Sequence, residues 1–458
     1  MLVPGTLRGM SSPVVTPENR RYVWTVSLVA ALGGLLFGYD TGVMSGALLY
    51  ISPQFNMSSS QEGWVTSMLL VGAAVGALTG GRVADLLGRR LTLIIGGLIF
   101  VVGSIWCAFA GSVGSLGAAR TILGVAVGAV SIVVPMYISE KAPADVRGQM
   151  VSLNTWMIVI GQLVAYLVNS ALAHTGNWHL MLGLAAVPGA ALAIGMFFLS
   201  DTPVWFARRG HVEEAKKVAA QSGMDPSELE TDDGEPDRAS QWKEFFSNRW
   251  LRLTVGVAAI IGIIQQVSGV NAIVYFAPTL MNQVGLSTEN SVYTSIVIGT
   301  VSVIACWVGL KVIDTLGRRR LLIYGLTGNI VSLVLLALIY HQAQNNQALA
   351  YVSLALMALF IAFQQAAVSP TTWLLISEIV PVQVRGLGMG LAGLALWAMN
   401  WAVAQFFLPL VDALSAPAVF LIFSGLGLLA MGFVAWQVPE TKGRSLEEVS
   451  ESFRAKFA

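Results

Sequence analysis

Asp40 lies in the middle of the first long apolar run, within Gly33-Gly34-Leu35-Leu36-Phe37-Gly38-Tyr39-Asp40-Thr41-Gly42. Every other Asp and Glu falls in a connecting segment or at the end of an apolar run. A lone carboxylate in apolar surroundings is expensive to keep ionised, so it needs either a proton or a cation. Arg120, in Ala118-Ala119-Arg120-Thr121-Ile122, is the only Lys or Arg inside an apolar run, and the two are expected to pair. Gly34, Gly38, Gly42 and Gly46 recur every fourth residue and form a smooth helix ridge for close packing. Asp40, two residues from Gly38 and Gly42, should face away from that ridge, toward a polar cavity. The pair is either a proton-exchange site or a structural ion pair that fixes helix register. Ionisable groups within a membrane are functional by default, which favours the first.

Other polar residues within apolar runs could read a ligand. Gln162 and Asn169 are seven apart and share a helix face. Gln265-Gln266, Asn271 and Tyr275 follow in a later run, where Pro278 is expected to kink or break the helix. Ser369-Pro370-Thr371-Thr372-Trp373 should break another helix and present an indole, and Trp397 and Asn400 lie three apart beyond it. Amides both donate and accept hydrogen bonds, as a hydroxyl-rich neutral ligand requires, and an aromatic face suits the apolar side of a sugar ring. The competing use for such residues is helix-to-helix hydrogen bonding.

These groups need a membrane-spanning frame. The chain has 458 residues, 55% hydrophobic and 11% charged, whereas water-soluble domains are usually about 25% charged. With four histidines and two cysteines, Cys107 and Cys306 both in apolar runs, no metal site or disulfide framework is expected, nor any cofactor. A net charge of +1 gives no sign of a nucleic-acid partner, and no obligate protein partner is evident. Twelve runs are long enough to cross a bilayer, at about 20 residues each: six between 23 and 199, and six between 253 and 437. Residues 1–22 read as a disordered polar tail, 200–252 as a linker with short surface helices and an acidic run, and 438–458 as a second tail. Lys and Arg favour the cytoplasmic side. With both termini inside, the inner segments hold 25 of the 26 Lys and Arg, Arg120 being the exception. Asp40, late in an outgoing span, and Arg120, early in an incoming one, then share the outer half of the membrane.

The chain also repeats itself. Arg82-Val83-Ala84-Asp85-Leu86-Leu87-Gly88-Arg89-Arg90 after the second span matches Lys311-Val312-Ile313-Asp314-Thr315-Leu316-Gly317-Arg318-Arg319 after the eighth. Ile138-Ser139-Glu140 through Arg147-Gly148 recurs as Ile376-Ser377-Glu378 through Arg385-Gly386. Two six-span halves with equivalent loops describe a duplicated transporter with its ligand site between the halves. Asp85, Arg89, Glu140, Arg147, Asp314, Arg318, Glu378 and Arg385 are expected to form an inner gate, with ion pairs across the interface when that side is shut.

Over essentially its full length the chain resembles the sugar porter family of the major facilitator superfamily. The likeness rests on Phe37-Gly38-Tyr39-Asp40-Thr41, the loop repeats, Gln265-Gln266-Val267-Ser268-Gly269-Val270-Asn271, and Val438-Pro439-Glu440-Thr441-Lys442-Gly443. It implies an all-α membrane protein of twelve helices in two six-helix halves. By that resemblance Gln162, Gln265, Gln266, Asn271, Tyr275 and Trp373 contact the sugar, with Phe37, Trp397 and Asn400 near it. Asp40 and Arg120 are the proton-coupling pair, since proton-linked members are similar in having Asp there. Glu140, Arg147, Glu378 and Arg385, with Arg89 and Arg318, form the gate. The chain departs from the family at Ser369, where Gly is usual, at Leu396, where some members have Gln, and at Leu199-Ser200-Asp201-Thr202-Pro203-Val204, where Pro-Glu-Ser-Pro-Arg is usual. The expected activity is proton-coupled import of a neutral monosaccharide or polyol through the cell membrane. The alternatives are a facilitative uniporter and a transporter-like sugar sensor; an enzyme is not expected.

Overall fold

A computed structural model describes residues 16–143, 146–224 and 238–457. The acidic run from Glu228 to Asp237 therefore lies outside the described residues. The first six spans are α1 (Pro17–Phe55), α2 (Ser59–Leu87), α3 (Arg89–Ala108), α4 (Val113–Lys141), α5 (Arg147–Leu172) and a sixth divided into α6 (Trp178–Gly183) and α7 (Ala186–Phe197). Short helices α8 (Pro203–Arg208), α9 (Val212–Ser222) and α10 (Arg238–Ser247) follow. The second six are α11 (Arg249–Val267) with α12 (Val270–Gln283), α13 (Thr288–Leu316), α14 (Arg318–Ala343), α15 (Gln347–Phe363) joined by a π turn at Gln364–Val368 to α16 (Ser369–Ile379), α17 (Arg385–Leu414) and α18 (Ala416–Gln437). An amphipathic helix, α19 (Leu446–Phe457), ends the chain. Twelve of these stretches are long and apolar enough to cross a membrane.

The helix α1 starts earlier than the composition suggested. Thr16 caps it through Asn19, and Pro17 occupies the first turn, where a missing N–H costs nothing. The residue read as tail is a helix start.

Packing repeats between the halves. In the first, α1 lies against α5, α2 against α4, and α3 against α7; in the second, α11 lies against α17, α13 against α15, and α14 against α18. The glycine ridge of α1 faces α5 as expected: a Cβ on Gly38 would lie 1.8 Å from the Ile158 carbonyl oxygen, and Gly34, Gly42 and Gly46 meet Asn154, Gln162 with Ala165, and Asn169. Backbone cannot yield there as a flexible side chain can. Gly38→Ala is therefore expected to lower stability by about 2–3 kcal/mol, read as a lower melting temperature in detergent. Gly81→Ala is the control, with no atom within 4 Å of its Cβ position, and should change little.

Contacts between the halves run through α2 with α17, α5 with α13 and α1 with α12. Their polar members sit at the ends remote from the Lys- and Arg-rich loops. Ser67 Oγ donates to Gln405 Oε1 at 2.9 Å, Gln405 Nε2 donates to the Ser60 carbonyl at 3.3 Å, and Ser59 bonds Asp412. The halves are closed together on this side, away from the Lys and Arg.

Two helix breaks differ from expectation. Pro278 sits inside a continuous α12, and the seventh span breaks instead at Ser268-Gly269, where Gly269 has φ 92°. A left-handed residue reverses the carbonyl direction, whereas neighbouring helices let a membrane helix absorb a proline. The tenth span is not broken at Ser369-Pro370; it widens into the preceding π turn.

Candidate functional site

Arg120 Nη1 lies 3.2 Å from Asp40 Oδ1, and both side chains are about 1–2% exposed. Arg120 also donates through Nε to the Val65 carbonyl at 3.0 Å. These contacts join α1, α4 and α2. The second carboxylate oxygen, Asp40 Oδ2, is buried without a hydrogen-bond partner among the described residues. The sequence expectation of an acid facing a polar cavity is thus corrected: Asp40 does turn away from the glycine ridge, but into packed helices where its polar company is the guanidinium.

One helical turn before Asp40, the Phe37 ring meets Trp397 of α17 with centroids 5.7 Å apart. One residue after it, Thr41 Oγ1 accepts from Gln162 Nε2 at 3.3 Å. The break at Gly269 then brings the seventh-span amides in. Asn271 Nδ2 donates to Gln266 Oε1 at 2.6 Å and to Asn400 Oδ1 at 2.7 Å. Tyr275 is buried, interacts with Asn400 and lies within electrostatic reach of both Asp40 and Arg120. Gln265 Oε1 is buried with no partner among the described residues, an acceptor suited to a ligand hydroxyl. These contacts link Phe37 with Trp397, Gln162 with Thr41, and Gln266, Asn271, Tyr275 and Asn400 with one another, while Gln265 is buried in the same last turn of α11 as Gln266.

Trp373 stands apart from that set. It is 46% exposed on α16, toward the basic side. Asn169 also has another job, since its Nδ2 donates to the Gly42 and Val43 carbonyls at 3.3 and 3.0 Å and ties α5 to α1.

At the basic side the charged loop motifs form two copies of one network. Arg89 pairs with Asp85 at 2.9 Å and Glu140 at 3.0 Å; Arg318 pairs with Asp314 at 3.1 Å and Glu378 at 3.3 Å. Each of these pairs lies within one half. Arg147 and Arg385 do not meet Glu140 and Glu378 as expected: Arg147 Nε donates to the Ala142 carbonyl at 3.3 Å, and Arg385 Nη2 to the Ser377 carbonyl at 3.2 Å. Arg89 and Arg318 reach the acids first because each leads a helix packed beside them.

The sequence reading missed what seats those two arginines. Asp201 accepts from the backbone N–H groups of Arg89 and Arg90 at 3.1 and 3.2 Å, capping α3. Glu440 accepts from the Arg318 N–H at 2.8 Å, capping α14. Both carboxylates satisfy donors that a helix start leaves open. Gly88 and Gly317, at φ 98° and 88°, precede the capped turns; a Cβ would lie 2.2 Å from Asp201 Oδ2 and 2.7 Å from Glu440 Oε2. Burial holds the Asp201 carboxyl above the usual carboxylate range, against the pull of the N–H groups of Thr202, Arg90 and Arg89. Thr202 and Thr441, one residue on, bond Glu140 and Glu378. The matching Asp-Thr and Glu-Thr pairs were a signal available in the sequence.

A duplicated twelve-helix bundle with a buried acid–guanidinium pair, an amide-rich seam between its halves and twin charged networks on one side is a secondary transporter. The chain belongs to the sugar transporter family of the major facilitator superfamily. The model of that family, described as "Sugar (and other) transporter", matches residues 26–453. The chain is 40% identical over 449 residues to the major myo-inositol transporter IolT of Bacillus subtilis strain 168, covering 95% of each. It is 34% identical over 448 residues to the arabinose-proton symporter of Escherichia coli K12, covering 96% of this chain and 95% of that one. Among solved structures, the inward-open conformation of the E. coli xylose transporter XylE superposes with a TM-score of 0.81, at 27% identity over 95% of this chain and all of the other. The protein is thus a multi-pass cell-membrane sugar transporter and not an enzyme.

Proposed function

We propose that this chain is a proton-coupled symporter that imports a neutral monosaccharide or polyol, whether hexose, pentose or inositol, by alternating access. The observation that carries this reading is Asp40: one carboxylate oxygen on Arg120, the other without a partner among the described residues, and the residue one turn from Phe37 and next to Thr41 of the amide seam. Burial favours the neutral acid and the guanidinium favours the carboxylate, so a small change in their separation moves a proton on or off. Protonation weakens the hold on Arg120 and frees α1 and α4 to move with the closing halves. The amides and the Phe37–Trp397 pair supply donors, acceptors and an apolar face for a polyol. The distribution of Lys and Arg supports placing the basic side, and both termini, in the cytoplasm. Arg147 and Arg385, engaged here with backbone carbonyls of their own halves, are free to exchange those partners for acids when that side closes.

The test is uptake of labelled myo-inositol, D-glucose, D-xylose and L-arabinose into vesicles containing the purified protein, with and without an inward proton gradient. One of the four should accumulate above its outside concentration only with the gradient. Equilibration indifferent to the gradient identifies a uniporter, and ligand binding without uptake identifies a sensor.

A further inference from the structure

Beside the ligand amides lies a polar cluster for which the transport cycle above has no use. Gln364, Asn329 and Ser268 come from the π turn, α14 and the α11–α12 junction, and all three are 3% exposed or less. Gln364 Oε1 bonds Asn329 Nδ2 and lies 3.1 Å from Ser268 Oγ. Its Nε2 donates to the backbone carbonyl of Gln265 at 3.4 Å.

That carbonyl is the one the helix break abandons. In a continuous helix the Gly269 N–H would bond the Gln265 carbonyl. With Gly269 at φ 92° it bonds the Gln266 carbonyl instead, at 3.1 Å. The Gln265 carbonyl takes its donors from side chains: Ser268 Oγ at 2.6 Å, and Gln364 Nε2. The last turn of α11 carries both Gln265 and Gln266, so whatever seats this carbonyl seats the two amides. Gln364 touches none of Gln162, Asn271 or Asn400 in its hydrogen bonds. Its reach into the site is through the backbone of Gln265.

We propose that Gln364 is a positioning residue for the polyol site: it caps the broken end of α11 and fixes the direction in which Gln265 and Gln266 present their amides. It also ties the π turn of the tenth span to the break of the seventh, so the two irregularities form one device. This rests on the reading of the amide seam as the ligand site. Replacing Gln364 by Leu keeps the volume but strands the Asn329 amide and leaves the Gln265 carbonyl with the Ser268 hydroxyl as its remaining side-chain donor, so the last turn of α11 loses its tie to the π turn.

The experiment is equilibrium binding of the four labelled compounds named above to the purified full-length protein, using the tightest as probe, in a double-mutant cycle. Gln364→Leu should weaken binding about tenfold in the native background, yet only about threefold in Gln265→Ala, because part of its action runs through a side chain already removed and Gln266 carries the rest. Ser268→Ala, a milder change to the same carbonyl, should weaken binding about threefold and combine less than additively with Gln364→Leu. It serves where Gln364→Leu folds poorly, as judged by melting temperature. Equal losses in both backgrounds mean a general structural role and overturn the inference while leaving the site reading intact, as does native affinity in Gln364→Leu. Failure of all four compounds to bind the native protein overturns both.

Discussion

Asp40→Asn should abolish gradient-driven accumulation while sparing exchange of labelled for unlabelled substrate. With one proton per substrate, a gradient of one pH unit carries about 1.4 kcal/mol and sustains about tenfold accumulation. The variant should fall to a ratio of about 1, because an amide keeps the shape of the carboxyl but carries no exchangeable charge. Its oxygen can still accept from Arg120 Nη1, and Arg120 Nε keeps the Val65 carbonyl, so the three-helix junction retains its hydrogen bonds. What changes is charge: Arg120 is left in the packed interior without its counter-ion, a cost of several kcal/mol if nothing relaxes. Reduced expression is therefore expected as well, and Asp40→Glu guards against misreading it, since a carboxyl one methylene longer should retain some accumulation. Accumulation by Asp40→Asn at the native level would remove Asp40 from coupling and leave it as a structural partner for Arg120.

That pair was legible in the sequence because an acid and a base inside apolar runs have few places to go. The glycine ridge was legible for a similar reason, since spacing by four on a helix forces one face and only a close neighbour makes that face useful. Gly38 against the Ile158 carbonyl is the outcome. Position along the chain was less informative wherever two local signals competed. Pro278 announced a helix break more loudly than Ser268-Gly269, yet proline removes one hydrogen bond that neighbours can replace, whereas a left-handed residue turns the chain. Asp201 was read as a departure from a family motif, although its use is plain once α3 and the following loop are side by side: it is the counterpart of Glu440. Trp373 shows a different limit. Its type and motif nominate it for ring contact, but it is 46% exposed on α16, and which side of a helix is left uncovered is set by tertiary packing that no local pattern encodes.

Gly63→Trp should stop both accumulation and exchange while leaving ligand binding near its native strength, which separates alternating access from coupling. Gly63 on α2 faces α17 so closely that a Cβ would lie 2.3 Å from the Gln405 carbonyl oxygen. The contact belongs to the seam remote from the basic side, with Ser67 and Ser60 bonded to the Gln405 side chain on either side of it. An indole there cannot be accommodated by rotating a flexible neighbour, because the opposing atom is backbone. The same crowding within one half, as at Gly38, damages folding. Across the two halves it has an easier escape, because these helices must part in every transport cycle and the protein can simply stay parted. A clash worth about 3 kcal/mol lowers the population of the state closed on this side about a hundredfold, and both modes of transport with it, since accumulation and exchange each require that closure. Melting temperature should stay close to native, unlike that of Gly38→Ala. Exchange at the native rate in Gly63→Trp would mean that the α2–α17 seam is not a required contact of the cycle, and that closure on this side is carried by α1 with α12 and α5 with α13.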